Sequence, residues 1–191
     1  MMTSDEKEIL RNRLELYEGL VEHMYLDTKG YVTVGIGHLI SSVDAAQKLN
    51  FIHTEDHQKA SANDIKTDYD TVKKQTKGLL SGNYKKYTTL QLGKTDIDAL
   101  TTMHIDSFEK ELNIIYGSTA FASYPAEVRL ALFDMIFNLG MTTLKNSFPK
   151  FNEKIKAEDW IGAAIESHRA GISEARNNYV KGLFEKAAEA A

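Results

Sequence analysis

The chain has 191 residues, 42% of them hydrophobic and 26% charged, with two prolines and no cysteine. This fits one domain, or one domain folded as two small lobes, and excludes a disordered chain, a disulfide framework and thiolate chemistry. The net charge is −4, with 13 basic and 13 acidic residues over 1–95 and 10 against 14 over 96–191, which argues against a nucleic-acid binder with a basic face.

The opening stretch Met1–Glu8 is charged and carries no apolar core of a leader, so synthesis in the cytoplasm without a signal peptide is expected. No apolar run approaches the ~20 residues of a membrane span, and no membrane insertion is expected. Thr3-x-x-Glu6 reads as a capping box, and Leu10, Leu14, Tyr17 and Val21 at helical spacing predict a first helix from about Ser4 to Leu20. The period then changes. Met24-Tyr25-Leu26, the turn Asp27-Thr28-Lys29-Gly30 and Tyr31-Val32-Thr33-Val34 read as a β-hairpin, followed by Gly35, Gly37 and His38 at the strand end.

Beyond Ser41, Thr54-Glu55-Asp56 reads as a helix start, Ala62–Lys77 as a helix and Gly78–Lys94 as loop. Thr71–Lys94 holds six lysines and no acid; such a run is most simply a solvated face. Thr95-x-x-Asp98 opens a further helix, and 117–124 reads as loop. Pro125–Leu139 is apolar nearly all round, the mark of a buried central helix, and Gly140 should stop it as a left-handed cap. Shorter helices are expected near Pro149–Ile155, Glu158–His168 and Ser173–Ala188. The fold class read from this order is α+β and mainly helical, with a small hairpin lobe and a helical lobe around one buried helix.

Most motifs with known chemistry fail here. His53 and His57 have i, i+4 spacing, but Thr54 stands where a zinc-protease helix needs Glu, so no metal site is expected. Gly35-x-Gly37 has Ile40 where a dinucleotide fingerprint needs its third glycine. What remains is Glu18 at a helix end, Asp27 at a hairpin turn and Thr33 on the returning strand. Chain geometry lets these converge. Two carboxylates beside a cleft are the equipment of glycoside hydrolysis, one protonated as acid and one ionised to handle water or the developing cation. The same two acids, taken alone, read more simply as surface carboxylates.

The full pattern is more specific. Glu18-Gly19, then Tyr25-x-Asp27-Thr28-x-Gly30-Tyr31-x-Thr33-x-Gly35-Ile36-Gly37-His38-Leu39, resembles the signature of the phage-type lysozymes, glycoside hydrolase family 24. Val128-Arg129-x-x-Leu132-x-x-Met135-x-Phe137-Asn138-x-Gly140 is similar to the central helix of that family, and Phe148, Trp160 and Arg176-Asn177 to its C-terminal end. The resemblance covers residues 4–40 and 95–188. Residues 41–94 depart from it, as does the acidic charge.

The resemblance implies a two-lobed lysozyme-like domain over 1–191. Residues 18–94 would form the small lobe and 95–191 the helical lobe, with helix 4–17 packed on the latter. It implies a peptidoglycan muramidase needing no cofactor and no metal. Glu18 would be the general acid, with Asp27 and Thr33 placing and activating water for an inverting reaction. His38 and Arg176 would hydrogen-bond near the acid, and Leu39, Phe137 and Asn138 would line the sugar site. Peptidoglycan glycan strands are the expected partner of a monomer. The expected setting is the cell wall, reached as an endolysin through a holin pore or as a type VI secretion effector countered by an immunity protein. A non-catalytic wall-binding or tail-structural module, or a metal-dependent hydrolase on His53 and His57, are the alternatives; chelation would expose the second.

Overall fold

The computed structural model describes residues 2–190. In chain order the elements are α1 (Ser4–Glu18), β1 (Val21–Leu26), β2 (Val32–Gly35), β3 (His38–Leu39), α2 (Val43–Ala46), β4 (Ile52–His53) and α3 (Ala62–Lys73). A 3₁₀ helix (Ser81–Tyr87), β5 (Leu90–Gln91), α4 (Lys94–Tyr116), α5 (Ser118–Ser123) and α6 (Ala126–Ser147) follow. The chain ends with α7 (Pro149–Lys156), α8 (Trp160–Glu166) and α9 (Glu174–Glu189). It is a mainly helical α+β protein, as the sequence pattern implies. Among the described residues no helix is long and apolar enough to cross a membrane.

The chain divides into two compact units, one of Arg11–Met103 and one of Met1–Leu10 with His104–Ala191. The first is built on an antiparallel sheet of order β1-β2-β3. Tyr25 pairs with Thr33 and Leu26 with Val32 across the hairpin, and Thr33 pairs with Leu39 and Val34 with His38 on the other side. Met24, Leu26, Val32, Val34 and Ile40 are buried with Phe51, Ile65, Val72, Leu90 and Ile97. Gly35 is required twice over: its φ is +66°, and a Cβ there would lie 3.2 Å from the Ile97 side chain. α3 starts at a reciprocal capping box between Ser61 and Asp64 and ends at Lys73, four residues short of the expected Lys77, with Lys74 as its C-cap.

Two expectations for this unit are corrected. Thr54-Glu55-Asp56 does not open a helix. It is a tight turn after β4, in which the His57 N–H donates to the His53 carbonyl at 3.0 Å, the Gln58 N–H to Asp56 at 2.9 Å, and His57 takes a φ of 58°. The Asp56 carboxylate is used inside the turn, and the Thr54 hydroxyl donates to the Thr89 carbonyl at 3.1 Å instead of capping a helix. The stretch 78–94 is also not loop throughout. It holds the 3₁₀ helix and β5, anchored by Tyr84, which is fully buried and donates to the Thr76 carbonyl at 2.7 Å.

The second unit is organised around α6, where Val128, Ala131, Leu132, Phe133, Met135 and Ile136 are all inaccessible to solvent. Phe108 meets Phe133 edge to face with centroids 5.9 Å apart, and Tyr124 meets Trp160 at 5.4 Å, arrangements favoured by the aromatic quadrupole. Arg129 Nε and Nη2 both bond Glu6 Oε1, at 3.0 and 2.5 Å. Gly140 ends the first helical stretch of α6, as its sequence position suggested, but not as a left-handed helical cap. With φ 71° and ψ 160° it leaves the left-handed helical region altogether, and a second helical stretch through the buried Leu144 runs on to Ser147. The expected loop at 117–124 contains the short α5, pinned by the buried Phe121.

Candidate active site

Glu18 is the last residue of α1, and the chain leaves the helix through Gly19 at φ +77°, whose N–H still donates to the Glu15 carbonyl at 2.9 Å. The exposed carboxylate of Glu18 therefore stands at the point where the helix hands over to β1. Asp27 closes the hairpin. Its Oδ1 accepts the N–H groups of Lys29 (2.9 Å) and Tyr31 (2.8 Å), while its carbonyl accepts that of Gly30 (3.0 Å). This is the Asp-centred turn that favours Asp at such positions. Oδ2 takes no hydrogen bond among the described residues.

Tyr25 reports where the two acids lie. Its hydroxyl is pushed above the usual phenol range, first by burial, then by the negative charge of Asp27, then by that of Glu18. A phenol responds to both carboxylates only if both are close enough for their fields to reach it through a partly buried environment. Tyr25 is also the register partner of Thr33, and paired residues on adjacent strands share a face of the sheet. Helix end, turn and returning strand thus bring Glu18, Asp27 and Thr33 around one tyrosine.

Thr33 is 4% exposed, and its hydroxyl donates to the Tyr31 carbonyl at 3.1 Å. The one hydroxyl hydrogen being committed, Thr33 offers lone pairs outward and acts as an acceptor. Leu39 continues the row Tyr25–Thr33–Leu39 across the three strands and is 49% exposed. His38 pairs with Val34, one residue out of step with Thr33, and is half-buried.

In the second unit, Arg176 is buried and its Nε donates to Asp134 Oδ1 and Oδ2 at 3.2 and 3.0 Å. Its guanidinium lies 5.8 Å from the centre of the Phe137 ring, a cation–π arrangement. Asp134 also accepts from Arg169 Nη1 at 2.6 Å, and the same nitrogen reaches Asn138 Oδ1 at 2.5 Å. Phe137 and Asn138 are half-buried.

Asp134 and Arg169 were not singled out by the sequence pattern, although one signal was there. Asp134 is an acid inside the run Leu130–Phe137 of a helix buried on all sides, and a buried carboxylate requires a cation. Tyr25 was read as a strand residue and a position of the signature, without a part in the site. Among the described residues no group of three His, Asp or Glu side chains is disposed to hold a metal ion. His53 Nε2 lies 3.4 Å from Asp64 Oδ2 at the start of α3, an ordinary surface contact.

Glu18, Asp27 and Thr33 thus stand on neighbouring elements of one unit: a helix end, a hairpin turn and the returning strand. The chain belongs to the phage lysozyme family, a family of lysozyme-type muramidases, whose model matches residues 15–189. It is 26% identical over 182 residues to a probable T4-type lysozyme 2 of Dictyostelium discoideum, covering 92% of this chain and 93% of that protein.

Proposed function

We propose that this chain hydrolyses the β-1,4 bond between N-acetylmuramic acid and N-acetylglucosamine in peptidoglycan glycan strands, with inversion at the anomeric carbon. The observation that carries the reading is the placement of Glu18 at the end of α1, Asp27 at the hairpin turn and Thr33 on the returning strand, in register with Tyr25. In this reading Glu18, protonated, gives its hydrogen to the glycosidic oxygen as the C1–O bond breaks. A water donates one hydrogen to Asp27 Oδ2 and one to Thr33 Oγ1, which leaves its lone pair aimed at C1. As the water oxygen bonds to C1, Asp27 takes its proton. The committed hydroxyl of Thr33 and the uncommitted Oδ2 of Asp27 suit this division of labour. Leu39, Phe137 and Asn138 are assigned to sugar contact, and His38 and Arg176 to fixing geometry through their hydrogen bonds.

The test is a zymogram on purified peptidoglycan with mass spectrometry of the fragments, run for the wild type and Glu18→Gln. Fragments ending in reducing N-acetylmuramic acid are expected, with turnover lower by at least about 10²-fold in the variant. Fragments ending in reducing N-acetylglucosamine, or binding without cleavage, would overturn the reading. So would a Gln variant within tenfold of wild type.

A further inference from the structure

Leu80 is 81% exposed and its neighbour Leu79 43%, and the backbone that carries them is closed across its base. The hydroxyl of the buried Tyr84 donates to the Thr76 carbonyl at 2.7 Å, and the Asn83 N–H donates to the Leu80 carbonyl at 2.9 Å. The 76–84 loop is therefore a fixed bracket with two leucines at its tip. Neither can fold back onto the core without opening it. A single exposed leucine needs no explanation, but an adjacent pair held outward by a hydrogen-bonded loop does.

Cations flank this tip on both sides. Lys73, Lys74, Lys77, Lys85 and Lys86 are all exposed, and positions 71–94 include no acid. The acids next in sequence are engaged: Asp68 accepts the N–H groups of Thr89 and Leu90 at 2.8 and 3.0 Å, and Asp70 is paired with Lys66. The surface continues onto the hairpin turn. Lys73 Nζ donates to the Gly30 carbonyl, and the Lys77 side chain lies where a Cβ on Gly30 would come within 3.3 Å of it. Leucines, lysines and turn all belong to the one unit Arg11–Met103.

Apolar side chains flanked by ammonium groups have the composition of a surface that lies on a lipid bilayer. The hydrocarbon enters the headgroup layer while the cations meet phosphate. A dissolved polyanion would be held by the lysines alone and has no use for the leucines. We propose that the 76–84 loop docks this chain on anionic phospholipid surfaces, with Leu79 and Leu80 entering the headgroup layer and Lys85 and Lys86 pairing with phosphate. The chain then lies on the membrane without spanning it, since among the described residues no helix is long and apolar enough to cross. The net charge of −4 makes the attraction local to this segment, so the docked molecule has one orientation. The docking does not depend on whether the chain cleaves peptidoglycan.

The test is flotation with vesicles of equal parts phosphatidylglycerol and phosphatidylcholine, against vesicles of phosphatidylcholine alone. Wild type should float with the first and not with the second. Lys85→Gln with Lys86→Gln should weaken the partition about 25-fold, about fivefold for each ammonium near the surface. Leu79→Ser with Leu80→Ser should weaken it at least about tenfold, the loss of two partly inserted leucines. Its Tm should not change, because both side chains are exposed. Leu80→Trp gives a direct reading: the chain's single tryptophan, Trp160, is buried, so the new emission reports the loop. It should shift to the blue when anionic vesicles are added.

Flotation unchanged by the leucine pair, or a Leu80→Trp emission that does not shift, would overturn the proposal. Equal binding to phosphatidylcholine alone would do the same, since it removes the cations from the recognition. So would a soluble poly(glycerol phosphate) bound as tightly as the vesicles, weakened by the lysine changes and indifferent to the leucine changes; that result would assign the segment to a dissolved polyanion.

Discussion

One oxygen of Asp27 accepts the backbone N–H of Tyr31 at 2.8 Å while the other takes no hydrogen bond among the described residues. The residue is turn former and proposed base at once, and the two duties can be separated by substitution. Asp27→Asn retains an oxygen for the N–H groups of Lys29 and Tyr31 and loses the base. Hydrolysis should fall by about 10²-fold or more with little change in Tm. Asp27→Ala should lose activity equally and also about 1 kcal/mol of stability, since two exposed turn hydrogen bonds go with it. Denaturant melts beside turbidity assays check both; a stable, active Asn variant would remove Asp27 from the chemistry.

Tyr25 supplies a probe of the same neighbourhood. Its folded-state ionisation lies above the usual 10.0 because burial, Asp27 and Glu18 all oppose a phenolate. The native state therefore holds this proton at pH values where the unfolded chain has released it. The stability it contributes is complete below pH 10 and is lost as pH rises toward the folded-state value. Absorbance titration, read as wild type minus Tyr25→Phe, should show the late phenol. The Glu18→Gln and Asp27→Asn backgrounds should each move it back toward 10. A Tyr25 titration indifferent to both substitutions would contradict the placement of the two acids.

Thr33 carries the stereochemical prediction. Thr33→Val is nearly equal in volume but cannot accept from water or donate to the Tyr31 carbonyl. It should lower kcat by at least about tenfold while leaving KM nearly unchanged. Proton NMR of product formed within the first minutes should show the α-anomer. A β-anomer, or a glycosyl adduct on Asp27 by mass spectrometry, would establish retention, which requires the carboxyls to stand ~5–5.5 Å apart instead of ~6.5–9.5 Å.

Within the lysine run, Lys73 has a defined seat on the hairpin. Lys73 Nζ lies 2.9 Å from the Gly30 carbonyl and 5.6 Å from the ring of Tyr31, itself 51% exposed, on the hairpin that carries Asp27. An anionic wall polymer should feel this charge over ~8 Å at physiological salt. Hydrolysis should therefore weaken as salt rises, and replacing Lys73, Lys74 and Lys77 by Gln should flatten the dependence. An identical salt profile in the triple variant would return these lysines to solvation alone.

The hairpin and the central helix were legible because their signals are local and redundant. The switch from period 3.6 to period 2 after Val21, the turn residues Asp27 and Gly30, and the unbroken apolar stretch around Phe133 each point one way. The places of Glu18 at a helix end, Asp27 at the hairpin turn and Thr33 on the returning strand were legible in the same change of period. The turn at 54–56 was not, because Thr and Asp offer the same side-chain oxygen to a helix cap and to a tight turn. The 3₁₀ helix rests on Tyr84, whose burial depends on residues distant in sequence. Arg169 was illegible for the same reason: its partners stand 8, 31 and 35 residues away, and only the misplaced charge of Asp134 hinted at them.

The unit containing the central helix is discontinuous in sequence, joining Met1–Leu10 to His104–Ala191, whereas the other is a single run, Arg11–Met103. On a ribosome this imposes an order of events. The uninterrupted unit has all its residues once position 103 has emerged, and units fold as they become complete. Glu6 cannot meet Arg129 until 123 further positions have been added. The segment that carries Glu6 thus waits for its partner until the central helix has been made.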